Sequence, residues 1–98
     1  MLSSYEKGRN AEYLIMRKLR SMGYEWIIRS SGSHTPIDLL ASNGNEIIAI
    51  QCKVSGYLNT NERDEFMKWA KYFNAKPILA KKVKSRWIFK ALDEVREG

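Results

Sequence analysis

The stretch PIDLLASNGNEIIAIQCK, residues 36–53, decides the fold. Two short apolar runs flank Asn43-Gly44, and this dipeptide is the strongest short-range hairpin signal because a tight two-residue turn needs positive φ at both positions. Counting outward from such a turn pairs Ser42 with Asn45 and sets Asp38 opposite Ala49. Side-chain alternation then puts Ala49, Gln51 and Lys53 on the side of Asp38, with Gln51 as its diagonal neighbour. The other side carries Ile37, Leu39, Ala41, Ile48, Ile50, Cys52 and Val54 and reads as core. Polarity therefore collects at the open end of the hairpin. An unpaired charge on a central strand is costly, so Asp38 and Lys53 must be paired, hydrated or holding an ion. An Asp38–Lys53 ion pair at the sheet rim is the plain reading. The sharper one asks for an acidic metal ligand, a second oxygen ligand and a lysine near a scissile phosphate, and this corner has all three.

Working outward, Ser3 or Ser4 caps a helix that runs to about Met22, with Ala11, Leu14, Ile15, Leu19 and Met22 as its apolar stripe and Gly23 as its end. Glu12 lies beside that stripe. YEWIIRS, residues 24–30, is aromatic and β-branched and reads as a strand, followed by the loop chemistry of SGSHTP. After the hairpin, Asn61 is the expected cap of a second helix, with Glu62, Asp64 and Glu65 in its first turn and Phe66, Trp69, Ala70 and Phe73 as its apolar stripe. KPILAKKV and RWIFKAL form two strands across a turn near Lys84-Ser85. The expected class is α/β, a mixed central sheet flanked by helices in the order αβββαββ, with residues 1–98 as a single domain.

Composition narrows the partners. Seventeen Lys and Arg against eleven Asp and Glu give a net charge of +6, which favours a polyanion, nucleic acid first. Cys52 is the one cysteine, so neither an intrachain disulfide nor a cysteine-cluster metal site can form, and a reducing compartment is expected. No apolar run reaches membrane-spanning length or resembles a signal peptide, so the expectation is a cytoplasmic protein without a membrane partner.

Asp38, twelve intervening residues and then Gln51-x-Lys53 resemble the PD-(D/E)xK nuclease signature, with glutamine at the position of the usual second acid. The likeness extends over nearly the whole chain to the archaeal-type Holliday junction resolvases. KGRNAE at 7–12 is similar to their helix-opening K-G-x-x-A-E. The segment IIRSSGSHTPIDLLASNGNEIIAIQCKV at 27–54 resembles their R-S-x-G-S loop, VDLVA strand, N-G turn and second motif strand, and PILAKKVKSRWIF at 77–89 their late strands. The resemblance implies a restriction-endonuclease-like fold and a homodimer with two active sites. It also implies symmetric Mg²⁺-dependent cuts in a four-way DNA junction, leaving 5′-phosphate and 3′-hydroxyl ends, with Mn²⁺ able to substitute.

Carried over residue by residue, Glu12 falls on the helix acid, Asp38 on the central metal-binding aspartate, Gln51 and Lys53 on the ExK pair, Ser33 on the loop serine and Arg29 on the arginine at the DNA backbone. The implied metal ligands are Asp38, the Gln51 side-chain oxygen, the Cys52 carbonyl and Glu12, directly or through water. Lys7, Arg9, Arg29, His34, Lys81 and Lys82 form the expected DNA-contacting set, since phosphate contacts fix position without reading sequence. The apolar residues of the second helix, Phe66, Trp69 and Phe73, together with Trp87, supply either core or two-fold interface. Two other classes stay open: a nicking or Mrr-like restriction nuclease on the same scaffold, and a non-catalytic junction-binding protein.

Overall fold

The computed structural model describes residues 4–30 and 35–93. Along the chain run α1 (Ser4–Ser21), β1 (Trp26–Arg29), β2 (Leu39–Ser42), β3 (Ile47–Lys53), α2 (Thr60–Tyr72), β4 (Lys76–Val83) and β5 (Arg86–Ala91). The five strands form one sheet in chain order, antiparallel throughout except for the β3–β4 pair, which is parallel and is bridged by α2. A parallel neighbour requires such a crossover. The α/β class and the order αβββαββ are as the sequence predicts.

Each face of the sheet is buried under one helix. Ile15 and Leu19 of α1 pack on Leu39, Ala41, Ile48, Ile50, Ala80 and Trp87. Phe66 and Ala70 of α2 pack on Ile37, Ala49, Leu79 and Leu92. Covering on both sides explains why β3 and β4 carry the unbroken buried runs Ile48–Ile50 and Pro77–Ala80, where a half-exposed strand would alternate. The first helix turns less of its stripe inward than expected: Leu14 and Met22 are about half exposed. The buried line follows Ala11, Ile15 and Leu19 at four-residue spacing, with Met16 alongside.

Two local readings are corrected. The Asn43-Gly44 connection is a four-residue loop, with Ser42 paired to Ile47 instead of Asn45. Asn43 Oδ1 accepts the N–H groups of Asn45 (2.9 Å) and Glu46 (2.7 Å), so the asparagine closes the turn through its side chain, and Gly44 alone of the pair takes positive φ, at 93°. The tight turn with positive φ at both central residues is instead at Lys84 (48°) and Ser85 (66°) between β4 and β5. The second helix is capped by Asn59, not Asn61: Asn59 Oδ1 accepts Glu62 N at 2.8 Å, and Glu62 Oε1 accepts Asn59 N at 3.4 Å, a reciprocal capping box. Phe66 and Trp87, two of the residues weighed for an interface, are buried in the chain's own core.

The β2–β3 ladder slips where it reaches the polar end. Leu39 is the partner of Ile50, yet Asp38 also donates its N–H to Ile50 O at 2.8 Å, so two residues share one opposite. This local bulge explains why Ile37 packs beneath α2 although Leu39 packs beneath α1.

Candidate active site

The carboxyl ends of the parallel pair β3 and β4, the start of β2 and the end of β1 lie at one edge of the sheet. That edge gathers Arg29, Asp38, Gln51, Cys52, Lys53 and Lys81, with Lys81 the β4 partner of Lys53 and Leu39, next to Asp38, the β2 partner of Arg29. The bulge aims Asp38 so that its Oδ2 accepts the Cys52 N–H at 2.7 Å, a side-chain bond in place of a ladder bond. Ser30 N donates to Asp38 O at 3.0 Å and fixes the backbone from the other side.

The charges at this corner are held unfavourably. Burial, opposed by the Cys52 N–H and by the positive charge of Lys53, leaves the Asp38 carboxyl above its usual range. Glu12, on α1, is also raised: burial contributes most, then the charge of Asp38, against a lowering effect of Arg29. Burial and both carboxylates push the Cys52 thiol far up, which leaves it an inert side chain here. Two mutually repelling carboxylates lie within electrostatic reach of one another, and neither has a neutralising partner at bonding distance among the described residues. Lys53 does not pair with Asp38. Its Nζ lies 2.9 Å from Glu62 Oε2, in the first turn of α2.

Gln51 Oε1 is buried and accepts no hydrogen bond among the described residues. A buried acceptor without a partner is uncommon and costs about 1–3 kcal/mol. No three His, Cys, Asp or Glu side chains among the described residues form a ready cluster for a metal. Mg²⁺ does not ask for one, because it keeps several waters and uses one or two carboxylates together with substrate phosphate. Two uncompensated carboxylates and an orphaned carbonyl oxygen toward the same end of the sheet are donors of the kind such an ion takes.

A family model described as archaeal Holliday junction resolvase (Hjc) matches residues 3–98. The chain belongs to the archaeal Holliday junction resolvase family. The crossover junction endodeoxyribonuclease Hjc of Methanocaldococcus jannaschii is 31% identical over 93 residues, which span 91% of this chain and 68% of that protein. The solved structure of Archaeoglobus fulgidus Hjc, a Holliday junction resolvase from a hyperthermophile, superposes with a TM-score of 0.74 at 27% identity, covering 85% of this chain and 74% of that one. Hjc proteins are nucleases that act on branched DNA, a class of enzyme that depends on a divalent cation.

In this Hjc-family chain, the sheet edge brings together five of the residues the sequence singles out, Asp38, Gln51, Cys52, Lys53 and Arg29, and α1 places Glu12 within their electrostatic field. Lys81 joins them half-buried, and Lys82 is exposed on the next position of β4. Ser33 and His34 lie outside the described residues, as do the side chains of Lys7 and Arg9. The residue that sequence reasoning misses is Glu62, assigned there only to the helix dipole. Its signal is the Asn59-x-x-Glu62 capping box, which starts α2 soon after Lys53 and so sets the first helical turn over the strand end.

Proposed function

We propose that this chain is a structure-specific endonuclease that hydrolyses phosphodiester bonds at four-way DNA junctions with Mg²⁺, acting as a homodimer. The observation that carries the reading is the orphaned Gln51 Oε1 near the end of β3, where the next residue, Cys52, donates its N–H to Asp38, in a chain of the resolvase family. Asp38, Gln51 Oε1, the Cys52 carbonyl and Glu12 would hold the ion. When bound, the cation polarises the scissile phosphate and acidifies a water.

The remaining work falls to the chain itself. The Cys52 N–H fixes the rotamer of Asp38. Lys53 offsets negative charge that develops on the phosphate as water adds and the P–O3′ bond breaks. Arg29, Lys81 and Lys82 engage the sugar-phosphate backbone at the same sheet edge, which suits recognition of junction shape over base sequence. Support for a dimer comes from edge strand β1, where Trp26 and Ile28 are 62% and 69% exposed and continue into a groove with Ile47 and Phe73.

The test is cleavage of a labelled four-way junction and of a linear duplex of matched sequence, with and without Mg²⁺. Paired cuts near the crossover, needing the cation and absent in Asp38→Asn and Lys53→Ala although both variants bind the junction, are expected. Equal cutting of the duplex would make it a general nuclease. Gln51 favours a second reading, a junction-binding protein, and tight binding without any cut would establish that reading.

A further inference from the structure

The expected rim ion pair, Asp38 with Lys53, is not the one that forms, and the reason lies in two features of this chain. The first is the chemistry of β3. Ala49, Gln51 and Lys53 alternate onto the face covered by α2, where Ala49 packs with Phe66 and Ala70. An acid at position 51 would give Lys53 an anionic neighbour on its own strand. Glutamine cannot. The second is the capping box. It locks Glu62 at the third helical position, with one carboxylate oxygen toward the Asn59 N–H and the other on Lys53 Nζ at 2.9 Å.

We infer that Glu62 is a positioning residue of the active site: by drawing the Lys53 ammonium to α2, it keeps the Asp38 carboxylate free to take a divalent cation. The inference rests on the nuclease reading above. Lys53 lies near enough to Asp38 for its charge to act there, and with no competitor it would close on that carboxylate. A cation would then have to displace a lysine before it could bind. With Glu62 present, Asp38 keeps the Cys52 N–H as its hydrogen-bond donor, which leaves lone pairs for a metal. The Lys53–Glu62 pair is partly exposed, at 36% and 37% of the two side chains, so it adds little to the stability of the fold. Its consequence is local, in deciding which acid the lysine neutralises.

The experiment measures Mn²⁺ binding to the DNA-free protein by electron paramagnetic resonance, in wild type, Glu62→Gln, Lys53→Met and the double variant. Glutamine preserves the reach of the capping side chain, so helix content serves as the control for folding. Glu62→Gln is expected to weaken Mn²⁺ binding about twofold to fivefold, the range open to a partly exposed ion pair that forms in its place. Lys53→Met should abolish that difference, because without the ammonium there is nothing for Glu62 to divert. Unchanged affinity in Glu62→Gln, or the same loss with Lys53 already replaced, overturns the inference and leaves the nuclease reading intact. A wild type that neither binds Mn²⁺ nor cuts a junction overturns both.

Discussion

Replacing Gln51 by methionine should stabilise the metal-free protein while removing its response to cation. The side chains are close in volume, so packing is largely kept, and the variant deletes a carbonyl oxygen that is buried and unbonded. Leaving such an acceptor unpaired costs about 1–3 kcal/mol. The loss of whatever the amide nitrogen contributes lowers the expected gain to about 1 kcal/mol, or roughly 4–8 °C in a domain of this size. In wild type, a cation at ten times its Kd should add about 1.4 kcal/mol by mass action. The assay is thermal unfolding in EDTA and in Mg²⁺: the variant should melt above wild type in EDTA, and Mg²⁺ should raise wild type alone. A variant that melts at or below wild type in EDTA would refute the reasoning, because the carbonyl would then already be satisfied in the free protein.

Both site carboxyls have raised values in the folded protein, so its native state binds protons more readily than the unfolded chain. Their stabilising contribution is full below the ordinary values of 3.8 for Asp38 and 4.5 for Glu12 and is lost as pH rises through the raised folded values. Asp38→Asn should accordingly flatten the fall in stability that sets in as pH rises above about 4, read from urea midpoints in EDTA. Asn59→Ala removes half of the capping box and should cost about 1 kcal/mol, measured by the same unfolding; no change would mean that packing, not the cap, sets the start of α2. Ile28→Asp on the exposed edge strand should convert a dimer to a folded monomer by analytical ultracentrifugation, and paired cuts to single nicks. A dimer that persists would place the interface elsewhere.

Strong local patterns made the sheet and its order readable. The apolar spacing of α2 specifies its buried face without reference to the rest of the chain, and the apolar runs of β3 and β4 mark strands covered on both sides. The errors came where a side chain competes with the backbone. Asn43 closes a longer loop through its own carbonyl, a choice that Asn-Gly does not announce, and Asn59 outcompetes Asn61 because only Asn59 has a glutamate three residues on. Hairpin counting set Asp38 opposite Ala49, but Ala49 pairs with Leu40 and Asp38 meets Cys52 through the bulge, so what the sequence showed was the shared polar end of the hairpin and not the register. For Glu62 the Asn59-x-x-Glu62 spacing marks a place in the first turn of α2, but its contact with Lys53 depends on how α2 crosses from β3 to β4, which is a tertiary relation.

The hairpin loop also bears on how this site tolerates slippage. The observed pairing of β2 with β3 differs from the tight-turn count by two residues, and the ladder residues still face as expected, since strands repeat every two positions. A slip of two residues between the strands would keep Leu39 and Ala41 beneath α1, whereas a slip of one would turn them out, so the four-residue loop serves to hold the Ser42–Ile47 pair in this phase.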